Sequence, residues 1–428
     1  MSSGFRNIRA LDGIRGLAII FVMLVHFDHL IPGRSIAITG MRLIFSFGWA
    51  GVDLFFALSG FLITGILLDT RKANNYFSAF YARRVLRIFP LYYSVLIVIL
   101  AAGSVWGRGL QLVPSAADQG LYFLYLSNWM VLWKGQWGSN ILGHFWSLAV
   151  EEQFYLIWPL CVWLLTSQRL ARVTVGASVI ALLVRIFWVA HTGPSQAIIM
   201  ATVTRMDTLL CGALAAILFR QARILSVLRR WLPRIACTAI LVFMAGVGLL
   251  RLIRSHGDYS LFVETLGFTL LAVSFSALIL YAAATDGEKS LFQRALRNGV
   301  LTDFGKYSYG IYVYHVPVMV LCDFLVYSRL SHALVLHFWF SAVYIAFLFV
   351  TTFFIAKASY ECFERRFLDL KRHFEPRTSE MSPVAEGVEY NWAIESIATW
   401  KRSASSRSVI SEEDNVRQDE KDKIGVSK

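Results

Sequence analysis

The sequence predicts an all-α polytopic membrane protein with about ten transmembrane helices. Only 16% of the 428 residues are charged and 57% are hydrophobic, whereas roughly 25% of an ordinary soluble domain is charged. Several apolar runs approach or exceed the roughly 20 residues that span a bilayer as a helix. The predicted spans lie at 14–33, 45–68, 87–106, 144–166, 173–191, 197–219, 235–253, 262–284, 304–327 and 335–357.

The basic residues orient these spans. The formal charge is +13, but Lys and Arg occur in short clusters between apolar runs and not along one soluble face. Most of the clusters fall in loops on one side, which the positive-inside rule assigns to the cytoplasm together with both termini. We therefore predict a multi-pass protein of the inner (plasma) membrane, in contact with the lipid bilayer, and no nucleic-acid partner.

Two stretches fall outside the predicted spans. The aromatic run from Leu121 to Trp133 is too short to cross the bilayer comfortably, so we expect it in the interface or as a re-entrant segment. From residue 375 the composition becomes rich in Ser, Glu, Asp, Lys and Arg. We predict a membrane domain over 1–374 and a disordered polar cytoplasmic tail over 375–428.

Arg15 and His26 stand within the first apolar run. At about 100° per residue, eleven residues return to within about 20° of the same direction, some 16 Å along the helix. Arg15 alone would also suit a headgroup anchor. An imidazole inside a span is costly unless it faces a protein interior or a water-filled cavity, and it exchanges protons near neutral pH. Both side chains are therefore predicted to face one functional groove.

The fourth span carries a polar face. Its members follow one another at steps of three, four and four residues, which places them on one side of a helix: His144, Ser147, Glu151 and Tyr155. The adjacent Glu152 points about 100° away from Glu151, so one carboxylate is expected to face a cavity and the other a neighbouring helix. A structural ion pair with Arg205 or Arg185 is the alternative to a functional role.

Polar residues recur in the sixth and ninth spans. Arg205 and Asp207 are two residues apart and thus on different faces, which favours separate partners for each. In the ninth span Ser308, Tyr312 and His315 share a face at steps of four and three. The aromatic residues alone would suit an interfacial belt, but His315 is harder to explain in that way.

A basic cluster precedes the third span. Arg84 and Arg87 are three residues apart and share a helical face, with Arg83 beside them. Such a cluster suits anionic lipid headgroups and equally the phosphates of a soluble ligand. The sequence contains no zinc-type spacing, Gly-rich phosphate loop or G-x-S-x-G elbow, and its five cysteines are not spaced as metal ligands. We predict no metal and no bound cofactor.

Together these stretches resemble the acyltransferase-3 family, whose members acylate lipopolysaccharide O-antigen, exopolysaccharides, Nod factors and some macrolides. The resemblance covers roughly residues 6–370 and keeps the family's order of motifs. It is carried by "RALDGIRGLAII" leading to His26, "DLFFALSGFLIT", "ARRVLRIFPLYY", "HFWSLAVEEQFY", "TRMDTLLCG" and "YSYGIYVYHVPV".

The resemblance implies an O-acyltransferase that uses acyl-CoA, most often acetyl-CoA, on the cytoplasmic side as donor substrate. The acceptor would be a hydroxyl of a carbohydrate or other glycoside. Activity is expected to depend on Arg15 and His26, with the arginines of the third motif near the donor. Some relatives carry a fused extracytoplasmic domain, and we expect none here, only the polar tail.

The predicted mechanism assigns a task to each candidate residue. Arg84, Arg87 and Arg15 bind the CoA phosphates, and His26 takes the proton of the attacking hydroxyl. Arg205 or Tyr312 stabilises the oxyanion, while Glu151 orients His26 or binds sugar hydroxyls. The further predicted substrate-binding residues are Ser147, Glu152, Asp207 and His315.

Three alternatives stay open from the sequence. The acyl group could pass through a transient acyl-protein. A proton-coupled transporter or flippase of a sugar-containing substrate would also place His, Glu and Arg in spans. The chain could act alone or as a homo-oligomer.

Overall fold

The structure is a computed structural model that describes residues 8–31, 36–106, 113–135, 139–253, 260–325 and 338–377. All regular secondary structure within these ranges is helical. The chain forms two units, of which the larger comprises residues 1–71 and 75–375 and the smaller comprises 72–74 and 376–428. The predicted tail lies outside the described residues from 378 onward.

The helices follow the apolar runs. In chain order they are α1 (Arg9–Phe27), α2 (Ile36–Ser46), α3 (Ala50–Thr70), α4 (Tyr76–Trp106), α5 (Ala116–Phe123), α6 (Ser127–Lys134), α7 (Trp146–Leu164), α8 (Ser167–Thr192), α9 (Gln196–Met200), α10 (Thr202–Phe219), α11 (Ala222–Leu228), α12 (Leu232–Ile253), α13 (Phe268–Ala284), α14 (Leu291–Leu296), α15 (Gly299–Lys306), α16 (Ser308–Leu325), α17 (Phe338–Ser359) and α18 (Arg365–Asp369). Two π-helical segments, Val263–Gly267 and Tyr360–Glu364, extend α13 and α17.

The described residues contain nine stretches long and apolar enough to cross a membrane. Each overlaps one of the ten predicted spans. The tenth prediction, 144–166, is α7, which has 19 residues and an exposed apolar side that includes Leu156 and Leu160. Its three consecutive polar residues from Glu151 to Gln153 lower its hydropathy. The chain is thus an all-α, multi-pass membrane protein.

Two predicted boundaries change in the structure. The third span was predicted from residue 87, but α4 begins at Tyr76 and runs for 31 residues through Pro90. The arginine cluster therefore lies inside this helix, because the helical structure begins in an amphipathic stretch before the apolar run.

The run from Leu121 to Trp133 falls within α5 and α6, each of eight residues, on either side of Tyr125 with φ of 54°. At 1.5 Å per residue neither spans a bilayer.

Small residues let the central helices approach closely. A Cβ atom built on Gly60 of α3 would lie 1.9 Å from the backbone oxygen of Leu209 in α10, and one on Gly212 would lie 1.9 Å from that of Ala57. Gly16 of α1 meets the Leu301 oxygen of α15 in the same way, at 1.9 Å. These contacts hold α3 against α10 and α1 against α15 with almost no intervening side chain.

Candidate active site

A polar cavity opens between α1, α3, α4, α7 and α16. Its volume is about 130 Å³, and it is open to the surrounding solvent on one side. Seven predicted site residues line it: Arg15, Arg84, Arg87, Ser147, Glu151, Glu152 and Tyr312. The helical faces predicted for the fourth and ninth spans therefore meet in one place.

The arginines of α4 give this cavity its cationic wall. Among the described residues, neither Arg84 nor Arg87 has a carboxylate within ion-pair distance. Arg84 instead lies over the ring of Tyr155, 5.5 Å from its centroid. Arg15 differs, because its Nη1 donates to Asp12 at 2.7 Å and the pair remains partly exposed. Two guanidinium groups at the cavity thus keep their donors for an anion.

The carboxylate of Glu151 belongs to a short hydrogen-bonded chain. Ser59 Oγ donates to Glu151 Oε1 at 2.6 Å, and Tyr155 Oη donates to Ser59 Oγ at 3.1 Å. Glu152 lines the cavity next to them. The alternative of an ion pair between Glu151 and Arg205 or Arg185 is wrong, since both arginines bind other carboxylates. Glu151 was also predicted to orient His26, but among the described residues no recorded contact joins these two side chains.

Tyr312 and Ser147 line the cavity on the side where Tyr312 contacts the rings of His144 and His315. Their oxygens are 2.5 Å apart, and Tyr312 Oη donates to the backbone oxygen of His144 at 2.8 Å. Ser147 Oγ also lies 3.4 Å from the same backbone oxygen, so either hydroxyl can donate the hydrogen between the two side chains. This pair stands between the cavity and the histidines behind it.

Three histidines from three elements meet beyond Tyr312. The ring centroids of His26 and His315 are 4.7 Å apart, and those of His315 and His144 are 4.9 Å apart. His315 and His144 are buried, whereas His26 is partly exposed. In the described part of the chain no group of His, Cys, Asp and Glu is arranged to hold a metal ion. The cluster brings together three imidazoles, side chains that exchange protons near neutral pH.

Arg205 and Asp207 lie apart from the cavity lining. Arg205 donates to Asp53 at 2.6 Å and stacks on Phe268, 3.7 Å from its centroid. Asp207 receives two bonds from Arg185, at 3.0 and 2.8 Å. The predicted separation of their partners is confirmed. Their assignment to substrate binding stays a prediction that this geometry does not support.

A second cavity of about 200 Å³ adjoins the first on the side of α1 and α3. The two share Arg15, Ser59, Arg84, Tyr155 and Phe55, and the remaining lining of the second is mainly aliphatic. The shared residues form a common wall with polar groups on one side and apolar groups on the other.

Sequence reasoning missed several residues at this site. Ser59 was interpreted only as a small packing residue, and His144 and Tyr155 only as members of a polar face. Tyr309 and Ser308 also line the cavity. Asp53, which pairs with Arg205, carried no signal beyond being a charged residue in an apolar run, and Arg185 was considered as a partner of Glu151 but pairs with Asp207. A search for partners of every intramembrane charge would have picked out both.

Comparison with known proteins agrees with this geometry. The acyltransferase-3 family model, which describes an acyltransferase domain, matches residues 8–360. The chain belongs to the acyltransferase-3 family. The family's acyltransferase domain covers all five helices that line the cavity.

Curated relatives share this domain. The O-acetyltransferase OatA of Staphylococcus aureus (strain NCTC 8325 / PS 47) is 28% identical over 332 residues, which are 74% of this chain and 51% of the relative. The peptidoglycan O-acetyltransferase OatA of Listeria monocytogenes serovar 1/2a is 30% identical over 338 residues, 74% of this chain and 50% of the relative. The chain thus spans about half the length of these relatives. No solved structure matches it.

Proposed function

We propose that this acyltransferase-3 protein transfers an acetyl group from acetyl-CoA to a hydroxyl of a carbohydrate. The observation that carries the proposal is the cavity wall formed by Arg84 and Arg87, which lack a carboxylate partner among the described residues. Phosphate groups are the natural counter-ions for such guanidinium pairs. CoA is a donor that combines phosphates with a long, uncharged arm ending in a thioester.

The donor would lie along the cavity. Its phosphates bind Arg84 and Arg87 at the mouth, near Arg15. The pantetheine arm then runs towards Tyr312 and Ser147, whose hydrogen bond opens to admit the thioester. His26 lies eleven residues beyond Arg15 on α1, about 16 Å along its axis, a distance on the order of the arm's reach. The charge bias of the loops supports a mouth on the cytoplasmic side of the plasma membrane.

The chemical step would use His26 as the base. Its unprotonated ring nitrogen takes the proton of the acceptor hydroxyl while the hydroxyl oxygen attacks the thioester carbonyl carbon. The C–S bond then breaks, and the departing CoA thiolate receives the proton from the His26 imidazolium. Tyr312 is placed to stabilise the oxyanion once its O–H turns from the His144 backbone oxygen. Arg205 is not, because Asp53 and Phe268 hold it elsewhere.

The acceptor is assigned by chemical class. Glu152 and the chain formed by Glu151, Ser59 and Tyr155 offer hydrogen-bond acceptors and donors that suit sugar hydroxyls. The relatives are named for O-acetyl transfer, and the Listeria relative for peptidoglycan. We propose a cell-envelope carbohydrate as acceptor. Mass spectrometry of envelope glycans from a deletion strain should reveal the hydroxyl that loses its acetyl group.

Purified protein tests the donor site directly. With acetyl-CoA and a carbohydrate acceptor, wild type should release CoA, measured with a thiol reagent. Arg84→Ala and Arg87→Ala should each raise KM for acetyl-CoA, by about tenfold if one charge-assisted phosphate contact worth ~1.4 kcal/mol is lost. His26→Ala should abolish turnover while the protein still inserts.

Arg83→Gln is the matched control, because Arg83 lies on the same helix but does not line the cavity. Its KM should stay within about twofold of wild type. An equal effect of Arg83→Gln and Arg84→Ala would contradict the donor site. A wild-type protein that moves a sugar substrate across the membrane without acetyl-CoA consumption would favour the transporter alternative instead.

A further inference from the structure

The hydrogen bonds of the histidine cluster determine which nitrogens carry hydrogen. A backbone carbonyl oxygen can only accept, so a ring nitrogen in contact with it must donate. His26 Nδ1 lies 2.8 Å from the backbone oxygen of Val22. His315 Nδ1 lies 2.7 Å from that of Tyr312 and 3.2 Å from that of Ile311. Both histidines therefore carry a hydrogen on Nδ1.

The two rings then meet as donor and acceptor. His315 Nε2 is 3.4 Å from His26 Nδ1. Since the hydrogen of neutral His315 is on Nδ1, its Nε2 presents a lone pair to the N–H of His26. The Nδ1–H group of His26 thus donates to two acceptors, the Val22 oxygen and Nε2 of His315, and the contact with His315 is the longer of the two. The opposite assignment would set a lone pair of His26 Nδ1 against the lone pairs of the Val22 oxygen.

We infer that His315 is a positioning residue that, together with the Val22 carbonyl oxygen, holds His26 in its Nδ1–H tautomer and so leaves Nε2 of His26 as the only basic nitrogen. The inference rests on the proposed function, in which His26 acts as the base. It replaces two expectations from the sequence, namely that Glu151 orients His26 and that His315 binds substrate.

A histidine suits this position better than a carboxylate. His315 has no exposed surface, and an isolated carboxylate at such a site would be costly. The Nδ1–H of His315 donates to carbonyl oxygens of its own helix α16, so the orientation of the ring does not depend on substrate. When His26 Nε2 takes the hydroxyl proton, the Nδ1–H bond to His315 becomes charge-assisted and strengthens.

The neighbouring groups do not supply a competing acceptor. The other ring beside His26 is His144, with centroids 6.4 Å apart. Within the described part of the chain, neither ring nitrogen of His144 makes a hydrogen bond of ordinary geometry. Val22 and His315 thus account for the recorded contacts of His26 Nδ1.

Nuclear magnetic resonance tests the tautomer without reference to activity. Protein labelled with ¹⁵N-histidine is measured at neutral pH, and the His26 signals are assigned by their loss in His26→Gln. Wild type should show a protonated Nδ1 and an unprotonated Nε2 at His26. In His315→Asn, which is too short to reach His26, the Val22 oxygen remains as an acceptor, so the signals of the two nitrogens should shift part of the way towards a mixture of tautomers. A protonated Nε2 in wild type, or unchanged His26 signals in His315→Asn, would overturn the inference.

A pair of variants tests the consequence for catalysis. The amide oxygen of Gln reaches roughly as far as Nε2 of histidine, whereas Asn stops near Nδ1. A general base typically raises the reaction rate about 10²- to 10⁴-fold, and a poorly oriented His26 should lose part of this. His315→Asn should therefore lower kcat by about 10- to 100-fold. Its KM for acetyl-CoA should stay within about twofold. His315→Gln should recover kcat to within about fivefold of wild type.

Equal losses in the two variants, or a raised KM with unchanged kcat, would show that His315 serves packing or binding and not the tautomer. Failure of wild type to release CoA from acetyl-CoA would instead refute the proposed function. In that case the ¹⁵N spectrum still shows which tautomer His26 adopts. If His315→Asn does not fold, the wild-type spectrum alone shows which nitrogen of His26 carries the hydrogen.

Discussion

Replacement of Gly60 by alanine tests the close contact between α3 and α10. A Cβ at this position would lie 1.9 Å from the backbone oxygen of Leu209, whereas Cβ atoms essentially never come nearer than 3.0 Å to another heavy atom. The obstacle is backbone, so a rotamer change cannot relieve it. The two helices must therefore separate by about 1.1 Å at this crossing.

This displacement should reduce both stability and activity. Overpacking of this kind costs about 1–3 kcal/mol, which we expect to lower the apparent Tm in detergent by at least about 3 °C. Gly60 follows Ser59, whose 2.6 Å bond to Glu151 lies at the cavity. A shift of about 1 Å would stretch that bond beyond hydrogen-bond range. CoA release should fall more than the folded fraction does.

Gly176→Ala is the matched control. Gly176 also lies inside a long helix, α8, but a Cβ there meets nothing within 4 Å. Its Tm should be equal to or slightly above that of wild type, because alanine is the better helix former. The assay is thermal unfolding followed by size-exclusion fluorescence, with CoA release measured on the same samples. A Gly60→Ala protein with the Tm and turnover of wild type would refute the described α3–α10 contact.

Two further predictions concern ion pairs. Asp207→Asn leaves Arg185 buried without a charged partner, so the free energy of unfolding should fall by about 3–5 kcal/mol. Asp286→Asn breaks a partly exposed pair with Arg297 and should lower it by only about 0–1 kcal/mol. Thermal unfolding of both variants checks this contrast. Outside the membrane-spanning segments, hydrogen bonds from Lys134 and Ser115 lower the pKa of Asp118. This contribution to stability is present above the unfolded-state pKa of about 3.9 and is lost as the pH falls through the lower folded-state pKa. Lys134→Ala should therefore be less stable than wild type at pH 7, and the difference should shrink near pH 3. A difference in stability that is independent of pH would contradict the assignment.

The sequence predicted the faces of individual helices well. Ser147, Glu151 and Tyr155 line one cavity with Tyr312, because a helix fixes the relative directions of its own side chains at 100° per residue. For the same reason Arg205 and Asp207 were correctly expected to have separate partners. The start of α4 at Tyr76 was not predicted, since its amphipathic first turns carry no strong apolar signal.

What the sequence could not provide is the identity of partners on other helices. The hydrogen bond from Ser59 to Glu151 joins residues 92 apart in the chain, and the contact between His26 and His315 joins residues 289 apart. Helical periodicity does not limit how one helix rotates against another, and that rotation depends on small residues such as Gly60 and Gly212 that set the crossings.

The sequence by itself therefore determined the membrane class, the spans and the order of family motifs, because hydropathy and periodicity are local properties of the chain. Only the tertiary structure decided that Arg84 and Arg87 face a shared cavity, that Arg205 pairs with Asp53, and that His315 stands beside His26. These facts depend on which helix faces meet, and burial in a low-dielectric interior then requires each buried charge and donor to find its partner there.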